Sequence, residues 1–258
     1  MSTVIHPTAI VDDGAQLGAD VAVGPGAIVG AHVVVGDRTR VGSHVLLAGW
    51  TRIASDCRLH HGAVLGTAPQ DLKYGGVESY LEVGEHTEVR EYVTANLATD
   101  PGATTRIGRH CLLMAGCHVA HNCTLGDHVI VANAVLFAGY VTVEDWAVVG
   151  GGTVVHQFAR LGRHCMVGGG SRLSQDVAPF IRVAGSPPRL GGVNRIGLER
   201  RGFSAATCDA LDRAYRILFR QGLPVPEAAA AMRAECPGVP EVDHLARFAE
   251  TSARGLTR

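Results

Sequence analysis

The sequence predicts a solenoid of short strands that closes with a small helical domain, and three observations predict it. The first is a period of six. In steps of six from Ile5 to Leu173, all 29 positions except Asp71 and Pro101 hold Ala, Val, Ile, Leu or Phe. The second is a single change of character along the 258 residues. Of 32 valines, 27 lie at or before Val177, whereas the chain after Gly197 is rich in Ala, Arg, Leu and Glu. Branched side chains suit the pleated, half-buried surface of a strand, and the later residues are good helix formers. The third is 33 glycines, roughly twice the usual share, many of them directly after the apolar residue, as at Gly18, Gly24, Gly30, Gly36 and Gly42. Neither an amphipathic helix nor an alternating strand holds a period of six for so long. A fixed self-similar period is the mark of a solenoid.

From Ile5 onward each hexad points its aliphatic residue inward. Four residues later a small one (Ala9, Ala15, Ala27, Thr39, Cys57, Ala63, and later Cys111, Cys117 and Cys123) fits a crowded inner corner, and Gly eases the turn. Three hexads make a triangular coil, and coils stack at strand spacing, about 4.8 Å. Residues 1–190 then make about ten coils. The pattern breaks near 68–80 and 97–105, where Pro69 and Pro101, the two prolines between Gly26 and Ala178, both lie. Those breaks predict loops thrown out of the coil, and loops on a rigid scaffold often carry function. Five of seven cysteines (Cys57, Cys111, Cys117, Cys123 and Cys165) occupy the small inward slot and no CxxC pair occurs, so neither a disulfide framework nor a structural zinc is expected. After Pro179 the repeat stops. Residues 182–193 read as a Gly/Pro-rich connection, and residues 191–258 as a helical domain. Its helices are predicted over 194–201, 204–221 with Ser204 as N-cap, 226–235 and 240–253.

Charge and hydropathy exclude several classes. With 23 basic and 24 acidic residues the net charge is −1, which argues against a nucleic-acid binder working through bulk charge. No apolar run reaches the roughly 18 residues of a membrane span. Met1–Pro7 lacks a basic segment followed by an apolar one, so a cytoplasmic protein is expected. Between Arg195 and Arg220 six arginines face only Glu199, Asp209 and Asp212. This is either a solvated face or a docking surface for an acidic protein.

Thirteen histidines are many for this length. His32, His44, His86, His110, His128 and His164 share the fourth position of a hexad, an exposed turn, and read as solvated corner residues. His118, His121 and His156 do not share that slot. His121 is the third residue of its hexad; one coil on lies Gly139, and one coil further lies Gln157, next to His156. On a stacked edge Gly139's backbone should sit roughly 5 Å from the imidazole. A base beside a bare backbone N–H suits attack on a carbonyl. The plainer reading is a row of corner residues without chemistry.

Four segments carry a resemblance: Gln70-Asp71-Leu72-Lys73-Tyr74, His118-Val119-Ala120-His121-Asn122-Cys123, Val155-His156-Gln157-Phe158, and Gly192-Val193-Asn194 with Arg200-Arg201-Gly202-Phe203. The repeat resembles the left-handed parallel β-helix of hexapeptide acyltransferases. The segments together resemble the UDP-N-acetylglucosamine O-acyltransferases over essentially the whole chain. The resemblance implies a homotrimer with active sites between neighbouring β-helices and no cofactor. The implied reaction moves a (3R)-hydroxyacyl group from acyl carrier protein to the glucosamine 3-hydroxyl of UDP-N-acetylglucosamine, the first step of lipid A synthesis. It implies His121 as general base and Gly139 as oxyanion donor. Gln70, Asp71, Lys73, His118, His156 and Gln157 would meet the sugar nucleotide, with Asn194 and Arg200 at its diphosphate and uridine end. Met166 and Gly169 would line the acyl groove, and the arginine-rich helices would meet the acidic carrier protein.

This chain departs from that pattern in places. Asn122 stands where many relatives have Asp, Tyr140 and Asn96 replace histidines of some members, and Pro187 breaks another such position. A 3-amino sugar nucleotide therefore stays open as the acceptor, since the same base serves an amine. Other readings are a different hexapeptide acyltransferase or a non-enzymatic β-helix scaffold. Some similar β-helices are zinc carbonic anhydrases, but His118 and His121, three apart across a hexad boundary, should not converge as they would on a helix. No metal is expected.

Overall fold

A computed structural model describes residues 2–258. Most hexads fold as a two-residue strand and a turn, and the strands stack in register into three sheets of 11, 9 and 8 strands, the faces of a left-handed parallel β-helix. Within a face the register step is one coil, as where Val23 pairs with Val41 and Val29 with Leu47. The period-six aliphatics fill the interior in one column from Val23 to Leu173, and the small-slot residues, Ala27, Thr39 and Ala63 among them, are fully buried beside them. The column frays at its open end: Ile5 is 45% exposed because no coil lies beneath it.

Two pairings skip. Ile53 pairs with Val83, thirty residues on, and Val83 with Ile107, twenty-four on. The extra chain in each case is a whole number of hexads, so both loops leave the phase of the repeat intact. Asn96 ties the root of the first loop, its Nδ2 donating to Thr67 Oγ1 at 3.0 Å and to the Ala68 carbonyl at 3.1 Å. The seven cysteines are all free and buried. Burial pushes the thiols of Cys57 and Cys111 up to about 11 and those of Cys117 and Cys123 to about 12. They are packing groups rather than nucleophiles.

Most corners carry a residue with a left-handed backbone conformation, among them His86, His110, His128, Trp146 and His164 along one edge, with φ between 54° and 62°. Their rings stack, the His110–His128 centroids 4.8 Å apart and the His128–Trp146 centroids 3.8 Å apart. His164 corrects the expectation of an exposed turn. It is only 7% exposed, stacked between Trp146 and Phe180 with Phe203 edge-on. The helical domain covers this last corner. Burial, aided by Arg201 and Arg163, pushes the His164 imidazole down to about 4, so the ring is neutral at physiological pH.

Residues 182–193 are also not the irregular connection that their glycines and prolines predict. Ile181–Ala184 and Arg189–Val193 are strands paired antiparallel, and the first also pairs with Met166–Val167 of the preceding coil. The hairpin gives the last coil's edge the hydrogen-bonding partners that an open solenoid end would lack. Four helices follow: α1 (Arg195–Glu199), α2 (Ala205–Arg220), α3 (Val225–Glu235) and α4 (Pro240–Glu250). They enclose a second core that includes Phe180, Leu198, Leu211, Ile217 and Phe248. The domain is pinned to the β-helix by His244 Nε2 and Glu144 Oε2 at 2.8 Å, and by Arg160 over the Phe248 ring at 4.1 Å. Among the described residues no helix is long and apolar enough to cross a membrane.

Ser204 caps α2 by accepting the Thr207 N–H at 3.1 Å. Ser204→Ala is expected to cost about 1 kcal/mol of stability, measured as a lower urea midpoint of the helical signal.

Candidate active site

The corner that follows the nine-stranded sheet carries His121, Gly139 and Gln157 on successive coils. The strands His118–Val119, Leu136–Phe137 and Val154–Val155 feed it, paired His118 to Leu136 to Val154. Val119, Phe137 and Val155 anchor these strands inward, which projects the turn residues outward. His121 and Gly139 are closer than strand spacing alone requires. A β-carbon placed on Gly139 would come within 2.5 Å of His121 Cε1 and 2.7 Å of Nε2. The imidazole thus lies over the Gly139 α-carbon, and glycine is needed there for space rather than for an unusual φ. Gly139's own N–H has no protein acceptor among the described residues.

The imidazole has a fixed proton. Its Nδ1 lies 2.9 Å from Asn122 Oδ1, and that same oxygen accepts the Thr99 backbone N–H at 3.0 Å. A backbone N–H can only donate, so the amide atom it meets must be the oxygen, and Nδ1 of His121 must carry the hydrogen. Nε2, on the Gly139 side, keeps its lone pair. A neutral imidazole in this tautomer, beside a free backbone N–H, can take a proton from a nucleophile while an oxyanion forms nearby.

His118 points outward from the same sheet, half-buried, its Nδ1 2.7 Å from Thr94 Oγ1. Burial, with His121 close by, holds its imidazole below the usual range. His156 and Gln157 are exposed further along the edge, His156 Nδ1 lying 3.1 Å from the Gln157 carbonyl. The structure therefore brings His118, His121, Gly139, His156 and Gln157 to one edge.

The other sequence-derived residues lie elsewhere. A cleft of 610 Å³ between the end of the β-helix and the helical domain is lined by Met166, Asn194 and Arg200. Ile130, Val148, Arg182, Ile196 and Arg201 also line it and were not expected from the sequence. Their signal was present only in part, since Val148 and Ile130 sit one and two coils before Met166. Asn194 is 4% exposed and its Nδ2 donates to the His164 carbonyl at 3.0 Å. Arg200 is exposed at the C-terminus of α1, whereas Arg201 stacks over Trp146 at 5.1 Å. Arg195 is held by Glu199, Asp209 and Asp212 at 2.9–3.0 Å, the three acids of the arginine-rich stretch. Arg213, Arg216 and Arg220, all on α2, are exposed. Gly169 sits at a different corner, and a β-carbon there would meet the Gly151 carbonyl at 3.1 Å.

The first loop stands apart again. Gln70 and Lys73 are exposed, and Asp71 Oδ1 accepts the Lys73 N–H at 2.9 Å, an Asx turn that orders the tip. Among the described residues no hydrogen bond joins Gln70, Asp71 or Lys73 to the His121 edge or to the cleft.

Residues 176–257 match a family model described as Udp N-acetylglucosamine O-acyltransferase, domain 2, and residues 104–139 match the bacterial transferase hexapeptide model. A protein of Janthinobacterium sp. (strain Marseille) named acyl-(acyl-carrier-protein)–UDP-N-acetylglucosamine O-acyltransferase is 48% identical over 261 residues, covering 99% of this chain and 100% of its own. Its namesake from Thiobacillus denitrificans is 49% identical over 256 residues, covering 98% and 99%. The crystal structure of UDP-N-acetylglucosamine O-acyltransferase from Moraxella catarrhalis aligns with a TM-score of 0.95 at 39% identity, covering 98% of this chain and 99% of that one.

Proposed function

The chain belongs to the UDP-N-acetylglucosamine O-acyltransferase family, and from that premise we propose that it moves a (3R)-hydroxyacyl group from acyl carrier protein to the 3-hydroxyl of UDP-N-acetylglucosamine, in the cytoplasm, as the first step of lipid A synthesis. One observation carries the mechanism: the His121 imidazole lies over Gly139 with its Nδ1 tied to Asn122 and its Nε2 free. Nε2 accepts the 3-hydroxyl proton as that oxygen attacks the thioester carbonyl. The Gly139 N–H stabilises the oxyanion. Collapse breaks the carbon–sulfur bond, and the imidazolium returns its proton to the departing thiolate.

The remaining residues take places around that centre. Gln70, Asp71, Lys73, His118, His156 and Gln157 hold the sugar nucleotide, and Asn194 and Arg200 hold its diphosphate and uridine end, where a guanidinium suits phosphate oxygens. Met166 and Gly169 line the acyl groove, and the unpaired arginines of α2 receive the acidic carrier protein. These groups lie in separate parts of one chain, which supports a site shared between copies. The nine-stranded sheet supports the homotrimer as well. Its outward residues Ile10, Ile28, Leu136 and Val154 are 38–56% exposed, an apolar stripe in line with His118 that a second copy would cover.

Two outcomes test these assignments. Arg200→Ala is expected to raise KM for the nucleotide sugar about tenfold or more with kcat nearly unchanged; an unchanged KM removes Arg200 from the site. His121→Ala and Lys73→Ala chains, each inactive alone, are expected to regain transfer when unfolded and refolded together. A site built within one chain would give no recovery, because no chain would hold both residues. Acyl transfer by the purified protein tests the reading as a whole.

A further inference from the structure

The residue beside the proposed base is a neutral amide, Asn122, and the structure shows what stands behind it. The second loop folds back over the His121 corner. Thr99 donates both its backbone N–H and its hydroxyl to Asn122 Oδ1, at 3.0 and 2.9 Å. The next residue, Asp100, faces the other side of the amide, with Asn122 Nδ2 3.5 Å from its Oδ2. The same carboxylate oxygen accepts the Tyr140 hydroxyl at 3.2 Å, and Tyr140 Oη lies 3.1 Å from Thr99 Oγ1. Tyr140 directly follows Gly139. Its ring meets the His121 imidazole edge-on at 5.4 Å and stacks on Phe158 at 4.9 Å. Asn122 and Tyr140 both have left-handed backbones, with φ of 58° and 61°, which turns their side chains towards the loop. Thr105 Oγ1 accepts the Asn122 N–H at 2.8 Å, so both ends of the loop grip one residue.

We infer that Thr99, Asp100 and Tyr140 are positioning residues: they lock the Asn122 amide in one orientation, and through it hold His121 in the tautomer that leaves Nε2 free. The inference rests on the reading of His121 as the base. An Asn can turn its amide over at little cost, and the flipped amide would offer N–H to Nδ1 and favour the wrong tautomer. Thr99 blocks that flip because its N–H needs an acceptor. Asp100 blocks it from the other side because a carboxylate repels an amide oxygen. Asp100 also brings a negative charge near the imidazolium that forms during transfer, one residue removed from where an aspartate at 122 would place it. Tyr140 clamps Asp100 in that place.

The test uses the full-length protein with Asp100→Asn and Tyr140→Phe. The second keeps the ring stacked on Phe158 and removes only the hydroxyl. Each is expected to lower kcat about tenfold with KM for both substrates within about twofold. Asp100→Asn should also move the acid limb of the kcat/KM profile to lower pH, because losing a nearby negative charge disfavours the imidazolium. Asn122→Asp should move that limb to higher pH, because a negative charge beside the ring favours the imidazolium. Nitrogen-15 spectra of the imidazoles, with His121 assigned by its absence in His121→Ala, should show the hydrogen on Nδ1 in the native chain and a mixture in Asp100→Asn. Native kcat and an unmoved limb in both variants, or a native hydrogen on Nε2, would overturn the inference. Full activity of His121→Ala would instead overturn the base assignment, so the two failures are distinguishable.

Discussion

His121→Ala loses acyl transfer by about a thousandfold, within the range by which a positioned general base accelerates proton transfer, while fold and assembly are unchanged. The expectation follows from where the residue sits. His121 is on an outward corner, its ring contacts are Asn122, Tyr140 and Gly139, and it contributes nothing to the aliphatic column. Removing it leaves no cavity in the core, so circular dichroism and the urea midpoint should match the native protein within about 0.5 kcal/mol. Turnover is followed by mass spectrometry of the acylated nucleotide sugar. Since binding of the sugar nucleotide is assigned to other residues, the loss should fall on kcat. Activity within tenfold of native would remove His121 from the base role.

Gly139→Ala is expected to lower kcat about a hundredfold through one methyl group. Position 139 lies outside the left-handed region, so alanine adopts its backbone without strain, and the N–H offered to the oxyanion is still present. The methyl, however, would stand 2.5 Å from His121 Cε1. The ring must swing away, which breaks its bond to Asn122 and carries Nε2 off the reacting oxygen. A misplacement of about 1 Å is enough for a loss of that size. The effect therefore reports the place of the base and not the loss of the donor. The stability change should be small, because neither residue belongs to the aliphatic column that holds the β-helix together. Activity within threefold of native, with the alanine in place, would mean that the imidazole works from another position.

Much of this was legible because a solenoid repeats its rules. The period-six aliphatics, the small slot filled by Cys57 or Cys111, and the one-coil spacing of His121, Gly139 and Gln157 are properties of the chain read at a fixed interval. The two loops were legible for the same reason, since Asp71 and Pro101 break an otherwise unbroken series. Where the repeat ends the reading weakened. The strands Ile181–Ala184 and Arg189–Val193 surround Gly185, Pro187 and Pro188, and the second holds Gly191 and Gly192; these residues read as a connection, and only the need to close the last coil makes a hairpin of them. His164 has the same hexad position as His110, yet one is buried and the other exposed. The difference lies in the helical domain that packs on the final corner, a long-range contact no periodicity encodes. The polar lock on Asn122 was hidden likewise. Thr99 and Asp100 reach it only because the second loop bends back, and that path is set by packing rather than by spacing.

The most direct test of the central assignment is transfer itself. The purified protein would be given 3-hydroxyacyl carrier proteins of several chain lengths with UDP-N-acetylglucosamine and, in parallel, with its 3-amino analogue. Transfer to the 3-hydroxyl of UDP-N-acetylglucosamine from at least one of these donors is the predicted result. A folded protein that transfers none of them, or that acylates the 3-amino analogue alone, would contradict it.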